Sequence, residues 1–320
     1  MEENNGYIQY AGRLSQTVLR YSHHAMATIF EVVVVHDDAG YAEQCVYEAF
    51  RELDRIEQDL SRFIENSDIS RINTAGANFP VLVGLDAFEC IEQCAELTKK
   101  TKGAFDITVG PLFNCWKNAD KTQRTPTERE LTLARAIAGI RYVRIDREQF
   151  TVELEKNNMI FDLGGYGKGY AVDRMGEILR EWDIHSALIH GGYSSVLALD
   201  PPPGEKGWLV TLSNPQDHTR NILNIYLNNR SVSGSGTRKG DHIINPRTGY
   251  PVHDKNAAWA VSQAAAVSDA LSTAFMNMKP DEIELYCREN KGTQAIILPE
   301  NTVNGEKLYF GEFDSIEHSH

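Results

Sequence analysis

A glycine-rich stretch between a predicted strand and a predicted helix is the segment best suited to hold a phosphate group. Residues 162–173 include four glycines between Gly164 and Gly169. Glycine lets a ligand approach backbone N–H groups closely, and a loop that leads into a helix N-terminus favours a bound anion. Lys168 adds a positive charge, and Asp162 adds a carboxylate suited to a metal ion or a ribose. A tight turn without a ligand is the alternative, because the spacing is neither that of a dinucleotide fingerprint nor that of a P-loop.

A second segment, 264–278, is predicted to be a buried helix that carries oxygen ligands. Asp269 and Thr273 lie four residues apart and therefore project from one face, among mostly apolar neighbours. A buried carboxylate is costly unless it is paired or binds a metal. A carboxylate and a hydroxyl oxygen together suit a hard cation such as Mg²⁺. The alternative is a helix cap, or a carboxylate that accepts hydrogen bonds from loop amides.

Two further polar stretches could contribute to the same site. His242 lies in the segment 231–251, which is predicted to be a glycine-rich loop followed by a two-residue strand and a turn. Histidine can act as an acid, a base or a ligand, although a solvated surface histidine is the alternative. Phe105 and Asp106 precede a Thr-Val-Gly-Pro sequence, which brings an aromatic ring, a carboxylate and exposed amides together. A capped short helix is the alternative there.

Composition narrows the classes of partner and compartment. The net charge is −13, which argues against nucleic acid or an anionic membrane as a partner. No stretch approaches 18 apolar residues, so we expect no transmembrane helix. The first 25 residues are polar and lack an apolar signal core. We therefore expect a cytoplasmic protein, or an exported or membrane-anchored one if a leader has been removed from the natural chain.

The elements that must position these residues predict an α+β fold. Helices and strands mix without regular βαβ alternation, which favours largely antiparallel sheets with packed helices over a doubly wound sheet. We expect one domain over 17–312, which could comprise two lobes, a flexible N-terminal segment over 1–16 and a polar tail over 313–320. A polar loop is expected over 65–73. Helices are predicted over 42–60, 86–102, 112–116, 127–138, 171–182 and 264–278, and strands over 17–20, 28–36, 142–145, 151–154, 159–161, 188–190, 196–199, 208–212, 222–227, 230–232, 295–298 and 308–310.

Taken together and in order, these stretches resemble the ApbE family, the FAD:protein FMN transferases. The resemblance implies an α+β, ApbE-like fold that binds FAD and Mg²⁺. It also implies cleavage of the FAD pyrophosphate, transfer of FMN to a Thr or Ser hydroxyl of an acceptor protein, and release of AMP. The matching segments are 26–28, 60–61, 67–73, 103–112, 162–173, 191–192, 242–249 and 269–273.

The resemblance assigns roles to individual residues. Asp269, Thr273 and a backbone carbonyl near Gly165 would hold Mg²⁺, and Lys168 with the loop amides would hold phosphate oxygens. His242 is the candidate base that activates the acceptor hydroxyl, or a positioning group beside it. The positions that would line FAD are Met26, Phe63, Ala104, Phe105, Asp106, Asp162 and Ile244.

Several positions depart from the family pattern. Tyr193 and Asn245 stand where aspartate is common, Gly167 where alanine is usual, and Phe63 where many members carry tyrosine; the segment 234–241 is shorter than usual. Because asparagine cannot serve as an anionic ligand or a base, any role of that aspartate is lost. Three alternatives therefore stay open: an FAD pyrophosphatase that yields FMN and AMP, a non-enzymatic FAD-binding protein, and a phosphate-binding protein unrelated to flavin.

Overall fold

The computed structural model describes residues 8–10, 17–118, 120, 122–214, 217–237, 242–300, 306–313 and 316–317. The helices in this part of the chain are α1 (Ala39–Leu60), α2 (Asp68–Ala75), α3 (Leu85–Lys100), α4 (Gly110–Cys115), α5 (Glu128–Ile137), α6 (Gly167–Glu181), α7 (Ala265–Asn277) and α8 (Pro280–Glu289). The strands are β1 (Ile8–Tyr10), β2 (Val18–Ala25), β3 (Thr28–Val35), β4 (Val81–Leu82), β5 (Val143–Asp146), β6 (Thr151–Leu154), β7 (Ala187–Gly191), β8 (Ser195–Ala198), β9 (Trp208–Asn214), β10 (Asp217–Leu227), β11 (Arg230–Gly236), β12 (Lys255–Ser262), β13 (Gln294–Pro299), β14 (Leu308–Phe310) and β15 (Ile316–Glu317).

An eight-stranded sheet in the order β14-β13-β12-β11-β8-β7-β3-β2 forms the centre of the fold. A four-stranded sheet (β1-β9-β10-β15) and a three-stranded sheet (β4-β6-β5) accompany it. Every strand pairing in the described residues is antiparallel. The prediction of an α+β fold with largely antiparallel sheets and packed helices is confirmed.

Both faces of the central sheet are buried. Val32 and Ile189 point into a core shared with α1, α3, α6 and α7, whereas Val33 and Leu188 point into a second core built on Trp208 of the four-stranded sheet. Because side chains alternate between the two faces, a strand covered on both sides is nearly all apolar. This explains the run of apolar residues in β3 and places these helices on one side of the sheet.

The predicted polar loop over 65–73 is wrong in its second half, which forms helix α2. Ser67 is the N-cap, and its hydroxyl accepts a hydrogen bond from the Ser70 amide. Ile69 and Ile72 are fully buried beneath the helix. The helix is short and mostly polar, so burial of its two isoleucines rather than its propensity stabilises it.

The predicted strand over 159–161 is also wrong, because its backbone pairs with a side chain instead of another strand. Asn73 of α2 donates from Nδ2 to the Phe161 carbonyl at 3.1 Å and accepts from the Phe161 amide at 2.7 Å. The next amide, of Asp162, donates to the Ile107 carbonyl. One asparagine thus supplies both partners that a neighbouring strand would have supplied, and it holds the entrance to the glycine loop.

Strand β12 and helix α8 are among the longest elements that the sequence does not predict. Strand β12 is rich in alanine, a residue depleted in strands, and forms because it pairs with β11 on one side and β13 on the other. Helix α8 begins with Pro280 at its first position and ends near Asn290. Strand β11 also extends to Gly236, beyond the predicted end at 232.

The predicted ends of the domain fall mainly outside the described residues. Within the segment 1–16, Ile8–Tyr10 pairs with β9 as β1, and within 313–320, Ile316–Glu317 pairs with β10 as β15. The assignment of 17–312 to one domain stays a prediction. In the described part of the chain, no helix is long and apolar enough to cross a bilayer.

Helix α7 is held by a negative side chain at its N-terminus and a positive side chain at its C-terminus. Asp173 of α6 accepts hydrogen bonds from the amides of Ala265 and Ala266 at 2.7 and 2.8 Å. Burial raises the pKa of the Asp173 carboxyl to about 6, and these two amides act in the opposite direction. At the other end, Lys255 Nζ donates to the carbonyls of Met276 and Met278 at 3.0 and 2.7 Å. An anion at the N-terminus and a cation at the C-terminus both complement the helix dipole, so this helix is fixed in position.

Replacing Lys255 with methionine is expected to destabilise the fold by about 2–3 kcal/mol, because two buried carbonyls lose a charged donor. Lys255 is 5% exposed, so water cannot easily substitute. Urea unfolding measures the change, with Lys291→Met, at an exposed lysine, as the control. Equal stability of the two variants would contradict the capping role.

Acidification is expected to destabilise the protein through His190. Burial lowers the pKa of this β7 histidine from 6.5 to about 4, and the positive charge of Arg20 is the smaller of the two causes. The unfolded chain therefore binds the proton more tightly, so stability is complete above about pH 6.5 and is lost as the pH falls towards 4. Between pH 7 and pH 5, protonation of this histidine in the unfolded chain should lower the free energy of unfolding by about 2 kcal/mol. Urea unfolding at both pH values checks this: His190→Gln should reduce the pH dependence by that amount, and an unchanged dependence would contradict it.

Candidate active site

The candidate site lies where the N-terminal part of α6 crosses α7, and a glycine makes this crossing possible. A Cβ atom on Gly169 would lie 2.2 Å from the Ala265 carbonyl oxygen, far inside contact distance. The Gly169 amide donates to Asp269 Oδ2 at 3.1 Å. The close approach of the two helices therefore brings the buried carboxylate of α7 against the end of the glycine loop.

Helix α6 begins at Gly167, four residues earlier than predicted, so Lys168 lies in its first turn. Lys168 Nζ donates to the Gly164 carbonyl at 3.2 Å and lies 3.6 Å from Asp269 Oδ2. Asp269 is only 3% exposed. The structure thus joins the lysine of the predicted phosphate loop to the carboxylate of the predicted metal helix, two features recognised separately in the sequence.

Gly165 and Thr273 also lie together. A Cβ atom on Gly165 would lie 3.0 Å from Thr273 Oγ1 and 3.5 Å from the ring of Phe105. Since Thr273 follows Asp269 by one turn, both side chains project from the same face of α7. The three residues predicted to hold Mg²⁺ therefore border one small space beside the Phe105 ring.

A ladder of hydroxyl groups fixes α7 on the central sheet. Ser233 of β11 lies 2.8 Å from the hydroxyl of Ser268, and Ser235 lies 2.8 Å from Ser272 and 3.2 Å from Thr273 Oγ1. Hydrogen bonds at this spacing orient the threonine hydroxyl as well as the helix. Ser235 therefore orients the hydroxyl of Thr273, a predicted metal ligand, as hydrogen-bonding partners of metal ligands commonly do.

Asp162 shapes the loop and meets an arginine from the turn after α1. Its Oδ1 accepts from the Gly164 amide at 2.9 Å, and its Oδ2 lies 3.3 Å from Arg62 Nη2. The guanidinium carbon of Arg62 in turn lies 4.7 Å from the centre of the Phe63 ring. Phe63, predicted to line FAD, is 80% exposed. A large exposed aromatic ring beside the loop is well suited to stack on a planar ligand.

The segment from Ala104 to Asp106 forms one wall of the site. The Ala104 carbonyl accepts from Asn277 Nδ2, which also donates to the Thr273 carbonyl. Asp106 caps the short 3-10 helix Ile107–Val109. Its carboxylate accepts from the Thr108 amide and hydroxyl and from the Ile140 amide. The capped short helix left open by the sequence is thus observed, and contact of Asp106 with FAD stays a prediction.

Met26 lies at the tip of the β2–β3 hairpin with a left-handed backbone. Met26 and Ala27 have φ of 49° and 56°, as a two-residue hairpin turn requires at both of its central positions. The adjacent Gly192 amide donates to the Ile29 carbonyl, and a Cβ atom on Gly191 would lie 3.5 Å from the Lys168 carbonyl. The hairpin tip therefore adjoins the start of α6.

The segment after β11 supplies the remaining predicted residues. His242 is half-buried, and residues 238–241 before it lie outside the described part of the chain. Ile244 packs against Leu112 and Ala134, in a small cluster beside α4 and α5. The predicted roles of His242 as a base and of Ile244 in FAD binding stay predictions.

Asn245 and Arg247 give this segment its fixed shape. Asn245 Oδ1 accepts from the Arg247 amide at 2.9 Å, and its Nδ2 donates to the Asn277 carbonyl at 3.4 Å. An aspartate could not make the second contact. Arg247 donates to the carbonyls of Thr101 and Lys102 at the end of α3. Asn245, which stands where aspartate is common in the family, therefore connects this turn to the end of α7 through its Nδ2 hydrogen bond.

The residues present fit a hard cation, although no cluster of strong ligands marks the place. Among the described residues, no three His, Cys, Asp or Glu side chains converge to hold a metal. Asp269 Oδ1 accepts no hydrogen bond from any residue that the structure describes, whereas Oδ2 faces Lys168 and Gly169. One free carboxylate oxygen, the Thr273 hydroxyl and the nearby Gly165 backbone form an all-oxygen set of the kind Mg²⁺ prefers when it keeps several waters.

Several residues that shape the site were assigned no role from the sequence. Ser231, Ser233 and Ser235 alternate along one face of β11, a period-two signal that could have revealed the longer strand. No local signal identifies partners distant in the chain. The others in this group are Arg62, Asn73, Asp173 and Arg247.

The chain is similar in sequence to a known family. The sequence model of the ApbE family matches residues 26–297. A protein of Klebsiella pneumoniae (strain 342) named FAD:protein FMN transferase is 27% identical over 280 residues, or 82% of this chain and 79% of the relative. One of the same name from Buchnera aphidicola is 28% identical over 269 residues, or 79% and 78%.

Solved structures show the same fold. The ApbE protein of Thermotoga maritima matches with a TM-score of 0.82 and 26% identity, over 92% of this chain and 97% of its own. The flavin transferase ApbE from Vibrio cholerae matches with a TM-score of 0.79 and 21% identity, over 92% and 96%. Both therefore align along almost their whole length.

Proposed function

This chain belongs to the ApbE family, and from that premise we propose that it is an FAD:protein FMN transferase that depends on Mg²⁺. It would cleave the FAD pyrophosphate, attach FMN to a Thr or Ser hydroxyl of an acceptor protein, and release AMP. The observation that carries the proposal is the meeting of Lys168, Asp269 and Thr273 beside the glycine loop. A phosphate-binding loop and an oxygen ligand set are needed at one place for this chemistry, and the fold brings them together.

The chain's residues would divide the work as follows. Asp269 Oδ1, the Thr273 hydroxyl and the Gly165 carbonyl would hold Mg²⁺, which supplies charge neutralisation at the pyrophosphate when bound. Lys168, with its ammonium against the Gly164 carbonyl, would donate to a phosphate oxygen. The loop amides at the start of α6 would receive further phosphate oxygens. Phe63, which is 80% exposed, offers an aromatic face for the flavin or adenine ring, whereas Phe105 is buried and borders the site.

The acceptor hydroxyl needs a group that removes its proton as the new phosphate ester forms. We propose His242 for this step, as a base or as a positioning group, because histidine can exchange a proton near neutral pH. The hydroxyl oxygen of the acceptor attacks the phosphorus of the FMN half. The bond to the AMP phosphate breaks, and AMP leaves with the charge that the cations of the site neutralise.

Chromatography of the small molecules tests this function. The purified protein is incubated with FAD, with or without Mg²⁺, and with or without a peptide that carries an Asp-x-x-x-Ser/Thr-Thr-like motif. We expect AMP only when Mg²⁺ and the peptide are both present, with flavin fluorescence migrating with the peptide. AMP and FMN without the peptide would favour a pyrophosphatase, and intact bound FAD in every mixture would favour a binding protein.

A further inference from the structure

We propose that Arg62 binds the phosphate groups of the dinucleotide donor. This inference rests on the proposed function and adds a second cation to the site, beside Asp162 at the start of the glycine loop. Arg62 follows α1, about a hundred residues before the glycine loop in the sequence, and reaches the loop only in the folded chain. Its burial, its hydrogen bonding and its position each support the assignment.

The guanidinium of Arg62 is largely buried yet poorly satisfied. Its side chain is 18% exposed. The Nε atom is fully buried and has no hydrogen-bond partner. Nη2 lies 3.3 Å from Asp162 Oδ2, an ion-pair distance, but no described residue accepts a hydrogen bond from the group. A buried charge is costly unless it is both paired and hydrogen-bonded, so the N–H donors on Nη1 and Nη2, which are not fully buried, are left to a further acceptor.

The position of Arg62 places that acceptor at the glycine loop. Asp162, its ionic partner, accepts from the Gly164 amide, and Lys168 donates to the Gly164 carbonyl. The two cations therefore lie near the same glycine of the loop, Lys168 by direct contact and Arg62 through Asp162. The turn that carries Arg62 is fixed, because the Ser61 carbonyl accepts from the Ser67 hydroxyl at 2.6 Å and from the Ile64 amide at 3.2 Å. The arginine is therefore held beside the loop from a rigid base.

Phosphate is the acceptor whose chemistry fits best. A guanidinium presents its donors in a planar fork that matches phosphate oxygens, and such charge-assisted bonds are strong. The chain carries a net charge of −13, so an anionic donor needs local cations to enter this site. With Arg62 over the Phe63 ring, the edge of the guanidinium that carries Nη1 and Nη2, which are not fully buried as Nε is, stays open to a ligand.

Binding constants for three ligands test the assignment without any catalytic readout. In the absence of Mg²⁺, FAD and riboflavin are titrated by flavin fluorescence and ADP by calorimetry, with the wild-type protein and Arg62→Gln. We expect Arg62→Gln to weaken FAD and ADP by about 10- to 100-fold, and riboflavin by less than about twofold. Arg62→Lys should bind FAD with intermediate affinity, because lysine keeps the charge but loses the fork. Arg51→Gln, at a 64% exposed arginine paired with Glu48, is the matched control.

Each contrary outcome has a separate meaning. Unchanged FAD affinity in Arg62→Gln, with or without a lower melting temperature, would show that Arg62 is only a structural partner of Asp162 and would overturn the inference. Equal losses for riboflavin and FAD would also overturn it, since the contact would then be with the flavin ring. Failure of the wild-type protein to bind FAD both with and without Mg²⁺ would contradict the proposed function itself, so the wild-type titration, repeated with Mg²⁺, separates the two failures.

Discussion

Replacement of Asp269 by asparagine is expected to lower the rate of AMP release from FAD by at least about 1000-fold, because a Mg²⁺ site supplies several kcal/mol of charge stabilisation. Asparagine keeps an oxygen for the Gly169 amide, which donates to Oδ2 in the wild type. The variant should therefore fold, and only its Mg²⁺ binding and its rate of turnover should be reduced. The measurement is AMP formed per minute at saturating FAD and acceptor, over a range of Mg²⁺ concentrations.

Asp281→Asn provides the control for Asp269→Asn. Asp281 lies in the first turn of α8 and is exposed. Its replacement by asparagine removes the same charge as Asp269→Asn does, but from the neighbouring helix. We expect its rate to stay within about twofold of the wild type, since a surface charge at a helix end contributes little. If Asp269→Asn retained the wild-type rate and Mg²⁺ dependence, the assignment of the metal to α7 would be wrong.

Replacement of Gly169 by alanine is expected to have the second-largest effect. The added methyl group would lie 2.2 Å from the Ala265 carbonyl oxygen, so α6 and α7 must move apart. Overpacking of this kind costs about 1–3 kcal/mol of stability. Asp269 would move with the helix, and a displacement of about 1 Å near the reacting groups can cost about 100-fold in rate. Urea unfolding and AMP release measure the two losses.

The same helix turn supplies the control for Gly169→Ala. A Cβ atom on Gly167 would lie 3.8 Å from its nearest neighbour, Leu163 Cβ, which is ordinary contact. Gly167→Ala should leave activity unchanged and stabilise the protein by up to about 1 kcal/mol, because it reduces the freedom of the unfolded chain. Equal behaviour of the two alanine variants would show that the helix crossing does not depend on Gly169.

The sequence predicts those parts of the fold that leave a local signal. Helix α1 follows an apolar period from Ala42 to Leu60, and α5 begins at a capping box formed by Thr127 and Glu130. Neither element depends on distant residues for its type. The resemblance of ordered motifs to the ApbE family likewise indicated the fold and the family, both of which the comparisons confirm.

The rest depends on partners that are distant in the chain. Strand β12 forms from alanine-rich sequence because β11 and β13 flank it, and residues 159–161 are extended but unpaired with any strand because Asn73 satisfies Phe161. The charges that fix α7, on Asp173 and Lys255, lie outside the helix they cap. Within the site, Lys168 and the residues of α7 were predicted from the sequence. Arg62 was not, because its burial beside Asp162 is apparent only in the folded chain.

The mass of an acceptor peptide after incubation with FAD and Mg²⁺ tests the central claim most directly. One peptide carries a threonine at the position proposed to be modified in the Asp-x-x-x-Ser/Thr-Thr-like sequence, and its matched control carries valine there. We predict that the threonine peptide gains the mass of one FMN, less water, with one AMP released per peptide, while the valine peptide stays unmodified. A threonine peptide of unchanged mass, in a mixture that contains free FMN and AMP or only intact FAD, would contradict the transferase function.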